Sequence, residues 1–306
     1  MNGAAMPTEE QTAVAPPTPG ATPVGESIAI ICGGGSFPGA VAEAIARRGR
    51  RPVMFGVRGW ADPKMIERYT HHWIAIGQAG RFLRLARTEH CRDVLFIGTL
   101  LRPPLAQIRL DWQTLRLMPR VVRFFRGGDD HLLSGLANMM EEEGGLRIVG
   151  IKEAAPEIIT PAGVLGRWQP SARDRADIAY ALKLIAALSP FDVGQAAVVA
   201  DHQVLALEAA EGTDNLLARI ADLRRQRRVV TPPGVGVLVK APKAGQDHRF
   251  DLPAIGPQTI ENVARAGLAG LAVAAGSTIV AEPDAVVAAA DRAKIFFAGV
   301  DEVTPR

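Results

Sequence analysis

From Ser27 to about Lys152, short apolar runs alternate with segments whose apolar residues recur every three to four positions. Ile28–Cys32, Val53–Val57, Trp73–Ile76, Val94–Ile97 and Leu146–Ile151 show little polar alternation, the pattern of strands buried on both faces of a parallel sheet. Between them, Pro38–Arg48 and Gln78–His90 read as helices, the second turning Phe82, Leu83 and Leu85 inward. Strands spaced by helices predict a doubly wound, Rossmann-like α/β domain. Within Asp111–Arg126, Leu115, Met118, Val122 and Phe125 share a helical face, Arg116, Arg120, Arg123 and Arg126 stand on others with Arg109 just ahead of them, and Pro119 must kink or restart the segment. A further helix is expected over Leu132–Glu143, with Asp129 or Asp130 as its N-cap.

The stretch Glu153–Pro170 carries Pro156, Pro161, Gly163 and Gly166, and the domain crossing is placed there. Beyond it, Ser171 caps a helix whose apolar face is Ile178, Leu182, Ile185 and Leu188. Strands at Ala197–Ala200 and Val204–Glu208, a helix from Asn215 to Arg225, a strand at Val235–Val239 and a helix beginning near Pro257 complete a second, mixed α/β domain. The expected division is a tail at 1–25, a Rossmann-like domain at 26–160 and a catalytic α/β domain at 161–306. The tail is rich in Ala, Pro, Thr and Gly, cannot pack a core, and reads as disordered.

A chain of 306 residues with 48% apolar content can bury two cores, and its formal charge of +3 is too small to argue for nucleic acid. The cluster Arg224–Arg228 lacks interleaved aromatics and stands where a helix ends, so its cations meet the negative end of the dipole. Cys32 and Cys91 have neither zinc-like nor CxxC spacing and read as reduced, packed thiols. The tail has no basic region followed by an apolar one, and no apolar run reaches the roughly 18 residues of a membrane span, which points to a cytoplasmic protein.

The densest chemistry lies in Lys243–Thr259. Asp247 and Asp251 stand four residues apart among Lys243, Gln246, His248 and Arg249, just before a helix. Burying so many charges unpaired costs several kcal/mol each. The acids suit a divalent cation and the lysine and arginine suit phosphate oxygens; the competing reading is a solvated loop whose acids cap the helix. A second candidate is Gly33-Gly-Gly-Ser-Phe-Pro38, which follows the first strand and opens a helix, where backbone N–H groups of Gly35 and Ser36 can meet an anion. Its G-x-G-x-x-P pattern departs from the dinucleotide fingerprint, and no acidic residue ends the second strand.

Lys243-x-x-Gln246-Asp247-x-Arg249-x-Asp251-Leu252-Pro253-x-Ile255-Gly256-Pro257-x-Thr259 resembles the LpxI family of UDP-2,3-diacylglucosamine pyrophosphatases. So do Glu208-Ala-x-Glu211-Gly212-Thr213-Asp214, Gly267–Gly276, Gly33–Pro38 and Gly127–Leu133, in the same order along about Ser27 to Val300. The resemblance implies hydrolysis of the substrate diphosphate to UMP and 2,3-diacylglucosamine 1-phosphate, with Mg²⁺. On this reading Asp251 is the central acid, with Asp247 and Asp214 assisting it and sharing the metal. Gly35, Ser36, Gly212, Thr213, Lys243 and Gln246 hold phosphate oxygens, and Asp130 belongs to a wall of the cleft. Gly-Asn-His-Asp/Glu and His-Glu-x-x-His signatures are absent, so one magnesium with oxygen ligands is expected rather than a dinuclear or zinc centre. The basic segment 109–126 suits contact with an anionic inner-membrane surface or packing on its own domain. Two other classes stay open: a non-catalytic nucleotide-sugar or lipid-binding module, and an NAD(P)-dependent oxidoreductase.

Overall fold

The computed structural model describes residues 26–100, 111–112, 114–116, 129–191, 193–243, 247–250 and 252–301, with only the backbone at 129–134, 136 and 139. The first sheet is parallel and has the order β3-β2-β1-β4-β5, from Ser27–Cys32 (β1), Arg51–Val57 (β2), Thr70–Ile74 (β3), Asp93–Ile97 (β4) and Arg147–Ile148 (β5). Alternate residues of β1 face two different cores. Ile28 and Ile30 join one with Met54, Leu95 and Ile45, while Ala29 and Ile31 join another with Phe55, Phe82 and Leu83. Both faces are therefore covered, which is why these strands read as unbroken apolar runs.

Several predicted boundaries move. The third strand starts at Thr70 rather than Trp73, because an edge strand keeps exposed Thr70 and half-buried His71 and His72 beside β2. The fifth pairs only at Arg147–Ile148, and Ile151 opens a short helix, Ile151–Ala154, that buries Ile151 and Ala154. The helix expected at Leu132 already spans Asp129–Gly144, so Asp129 and Asp130 lie within its turns rather than ahead of it as an N-cap. Most of the segment 109–126 lies outside the described residues.

The second sheet has six strands in the order β6-β13-β11-β9-β7-β8: Gly163–Val164 (β6), Ala196–Ala200 (β7), Gln203–Leu207 (β8), Val237–Lys240 (β9), Gly270–Ala274 (β11) and Phe296–Val300 (β13). Strands β9, β11 and β13 are parallel, with β6 antiparallel on one edge and the β7–β8 hairpin on the other. Two further segments, Ala254–Ile255 (β10) and Ile279–Val280 (β12), form a small parallel pair of their own.

Ser171 caps the helix Ala172–Leu188 in a reciprocal box with Asp174, as its spacing predicts. From that helix the wholly buried Asp177 accepts the amides of Asp201 (2.9 Å) and His202 (2.7 Å), both at positive φ, and so pins the β7–β8 turn. Arg224 donates to the carbonyls of Thr231, Pro232 and Val235, ending the helix Gly212–Arg225 in protein contacts. Cys32 and Cys91 are free and buried; burial pushes the Cys32 thiol up and the Cys91 thiol up to about 12. Among the described residues, no helix is long and apolar enough to cross a membrane.

Candidate functional site between the two sheets

In the order β3-β2-β1-β4-β5 the chain runs outward one way from β1 and the other way from β4, so the crevice between their C-terminal ends is the topological switch point. The glycine turn sits there. Gly33 N–H donates to Ile97 O, Gly34 N–H to Thr99 O, and Thr99 N–H returns to Gly34 O. A Cβ on Gly33 would meet Thr99 O at 2.5 Å, so the glycine is required by this close approach. Two of the turn's amides are thus committed to β4's continuation. Gly35, at φ +92°, and Ser36 stand exposed at the mouth, and the Ser36 side chain makes no capping bond to the helix Phe37–Arg47.

The charged motif reaches the same edge from the other sheet. After β9 the chain leaves at Ala241 and returns as β10 at Ala254, and the described part of this excursion lies against the first sheet. Phe250 packs edge-on to Phe96 of β4 with centroids 5.5 Å apart, and Leu252 is buried in the core that holds Ile28, Ile30 and Cys32. Arg249 lies 3.8 Å from Glu141, and its Cα would be 3.2 Å from a Cβ on Gly150, which follows β5. The loop and the glycine turn therefore share the end of β4.

The predicted acids have different surroundings. Asp247 accepts the Arg249 amide at 3.0 Å and its guanidinium at 2.8 to 3.2 Å, and these bonds hold the carboxyl below the usual carboxylate range. Asp214, in the first turn of the helix Gly212–Arg225, accepts from Asn262 Nδ2 at 2.7 Å. Asp251 and Gln246 lie outside the described residues, as does the Asp130 side chain. Among the described residues no three His, Cys, Asp or Glu side chains form a metal-sized cluster. The helix Pro257–Arg265 is entered through Gly256, whose N–H donates to Thr259 Oγ1 at 3.4 Å; Asp247 has no part in capping it.

Sequence reasoning missed Lys240. Only 7% exposed at the end of β9, it donates to Thr213 Oγ1 (2.9 Å) and to Ala254 O (3.2 Å), so it joins the return point of the excursion to the Glu208–Asp214 segment. An ammonium has donors only, so the Thr213 oxygen accepts and its own hydrogen goes to Glu208 Oε1 at 2.6 Å. A phosphate contact from Thr213 then falls to its main-chain N–H, beside Gly212 at φ +76° in the helix's first turn. The signal was a lysine closing the apolar run Val237–Lys240 directly ahead of the motif. Lys243 is half-buried and also makes a protein interaction.

The LpxI N-terminal domain matches residues 27–158 and the LpxI C-terminal domain residues 161–298. UDP-2,3-diacylglucosamine pyrophosphatase LpxI of Caulobacter vibrioides is 39% identical over 274 residues, covering 90% of this chain and 97% of that protein. Likeness to solved structures is slight. Glycinamide-RNase-transformylase T of Mycobacterium tuberculosis gives a TM-score of 0.21 at 13% identity over 60% of this chain and 44% of that one. UDP-glucose-4-epimerase of Stenotrophomonas maltophila gives 0.29 at 12% identity over 90% of this chain and 94% of that one. Both scores are too low to carry an argument. The two domain matches and the Caulobacter relative, running through the glycine turn, the Lys240 strand and the charged loop alike, establish that this chain belongs to the LpxI family.

Proposed function

We propose that the protein hydrolyses the diphosphate of UDP-2,3-diacylglucosamine to UMP and 2,3-diacylglucosamine 1-phosphate, with Mg²⁺ as its cofactor. The observation that carries this reading is the excursion after β9, which brings Arg249, and His248 against Lys152 of the first half, to the C-terminal edge of the first sheet, where the glycine turn also ends. A diphosphate repels a nucleophile, so hydrolysis needs positive charge on its non-bridging oxygens and a positioned water. The exposed amides around Gly35 and Ser36, the first-turn amide of Thr213 beside Gly212, whose own N–H donates to Ala209 O, and the side chains of Lys243 and Gln246 are the donors we assign to the phosphates. Asp251 is assigned to orient the attacking water and accept its proton.

The acids fit magnesium in kind, since they offer carboxylate oxygens alone. Asp214 uses Oδ1 toward Asn262 and keeps Oδ2 for a ligand, whereas both oxygens of Asp247 are engaged by Arg249. Asp214 and Asp251 are therefore the residues we assign to hold the ion, with Asp247 joining if Arg249 releases it. When bound, magnesium supplies charge neutralisation on the diphosphate. The acylated substrate also favours work at the cytoplasmic face of the inner membrane.

Incubating the protein with UDP-2,3-diacylglucosamine and Mg²⁺ and separating the products tests this. UMP and an acylated sugar phosphate should appear, should vanish with excess chelator, and should return with added Mg²⁺. Full turnover in chelator removes the metal from the mechanism; tight binding without UMP leaves a non-catalytic binding module instead.

A further inference from the structure

The charged loop is also held from the first half of the chain, through one lysine. Lys152 stands on the short helix Ile151–Ala154, whose Ile151 and Ala154 are buried in the first sheet's core, so its backbone has a fixed origin. Its Nζ lies 3.1 Å from His248 Nδ1 in the charged loop and 3.1 Å from Ser277 Oγ in the turn between β11 and β12. That turn is itself tied to the crossing segment: Gly276 N–H donates to Thr160 O, and Thr160 donates through both N–H and Oγ1 to Thr278 O. One ammonium thus joins its own segment to two others, 96 and 125 residues away along the chain.

We infer that Lys152 is a positioning residue for the hydrolytic loop, an inference that rests on the function proposed above. The chemistry of the contact is directional. Lysine carries donors and no acceptor, so His248 Nδ1 must accept and the imidazole proton resides on Nε2. Lys152 therefore fixes both the place of His248 and its tautomer, one residue from Asp247 and three from Asp251. Arg249 and Phe250 are held by Glu141, Gly150 and Phe96, and among the described residues Lys152 is the hydrogen-bond partner of the His248 ring. The loop's reactive side chains come from the second half and its alignment from the first.

The test uses the full chain with Lys152→Cys, before and after alkylation of the introduced thiol with 2-bromoethylamine, which restores an ammonium at lysine length through a thioether. Cys32 and Cys91 are buried, and treated wild type is the control. Two quantities are read: steady-state hydrolysis of UDP-2,3-diacylglucosamine, and amide hydrogen exchange across residues 243–256. The substitution should lower kcat by roughly tenfold or more while KM stays within about twofold, the pattern of lost alignment rather than lost substrate binding. Exchange in the loop should quicken severalfold, and alkylation should restore both. Lys152→Arg, which keeps the charge but not the single-point geometry, should fall between.

Unchanged loop exchange overturns the inference, as does faster exchange with undiminished kcat. A rise in KM alone also overturns it, since Lys152 would then contact substrate. If wild type releases no UMP, the proposed function falls, while the exchange measurement still decides whether Lys152 holds the loop.

Discussion

Arg249 engages both oxygens of Asp247, while Asp214 gives one oxygen to Asn262. Asp247 and Asp214, which look alike in the sequence, therefore stand in different surroundings. Asp247 shapes the loop by folding Arg249 back on it, and replacing it with Asn leaves the guanidinium with a weaker, neutral acceptor. Asp251, to which we assign the proton transfer, should show the larger kinetic effect. Asp251→Asn is expected to lower turnover by roughly a hundredfold or more, the scale for losing a general base or a principal electrostatic contact. Asp247→Asn and Asp214→Asn should each cost less in kcat, and Asp247→Asn should also loosen the loop. Parallel steady-state assays and thermal melts of the three variants check this. Near-normal turnover in Asp251→Asn beside an inactive Asp247→Asn or Asp214→Asn would move the central role to the inactive position. Normal turnover in all three would place the site elsewhere.

At the scale of elements, β4 is the hinge of the first sheet: its far end meets the glycine turn and Phe250, and its near end carries Asp93. Burial alone would raise the Asp93 carboxyl, but hydrogen bonds from Arg147 and Arg50 outweigh it and hold the group below its ordinary value. A depressed carboxylate stabilises the fold above its unfolded pKa, about 3.9, and the contribution is lost as pH falls through the lower folded value. Asp93→Asn should therefore melt below wild type near neutral pH, with the gap narrowing as pH drops below about 4; melts at both ends check it, and a gap independent of pH would contradict it. The Asp93 pairs were not legible in the sequence, because apolar periodicity locates a strand but not the arginines that arrive from a turn and from β5. The runs that became β1, β2 and β4 were legible because both faces are buried. Leu146–Ile151 misled, since an apolar run this short has the same appearance in a two-residue strand followed by a helical turn. The site shows the same division: the sequence marked Asp247, Arg249 and Thr213, but nothing in it singled out Lys240 and Lys152, which the fold brings to Thr213 and His248.

At the scale of the molecule, the two halves of the chain share a core between the first sheet and the small β10–β12 pair. Leu252 and Ile279 come from the second half, yet they pack in the cluster of Ile28, Ile30, Val149 and Ile151 from the first. Ile279 N–H donates to Pro253 O, and β12 pairs with β10, so the end of the excursion is bound to the second half while its side chains belong to the first. The first sheet and the β10–β12 pair therefore cannot part without exposing apolar surface that each buries for the other. Calorimetry of the full chain should therefore give one transition, with the calorimetric enthalpy equal to the van't Hoff value. Leu252→Ala removes a shared anchor, and a buried Leu→Ala change costs about 2 to 5 kcal/mol depending on how far the site collapses. The cost falls on the junction, so this variant should broaden or split the transition rather than only shift it. Two separate transitions in wild type would show that the halves unfold independently and that Leu252 does not couple them. Coupling of this kind has a catalytic consequence: a loop that borrows its alignment from the opposite sheet loses it when either sheet loosens. Turnover of Leu252→Ala should thus decline at a temperature below its first unfolding step, where each half still retains its own strands.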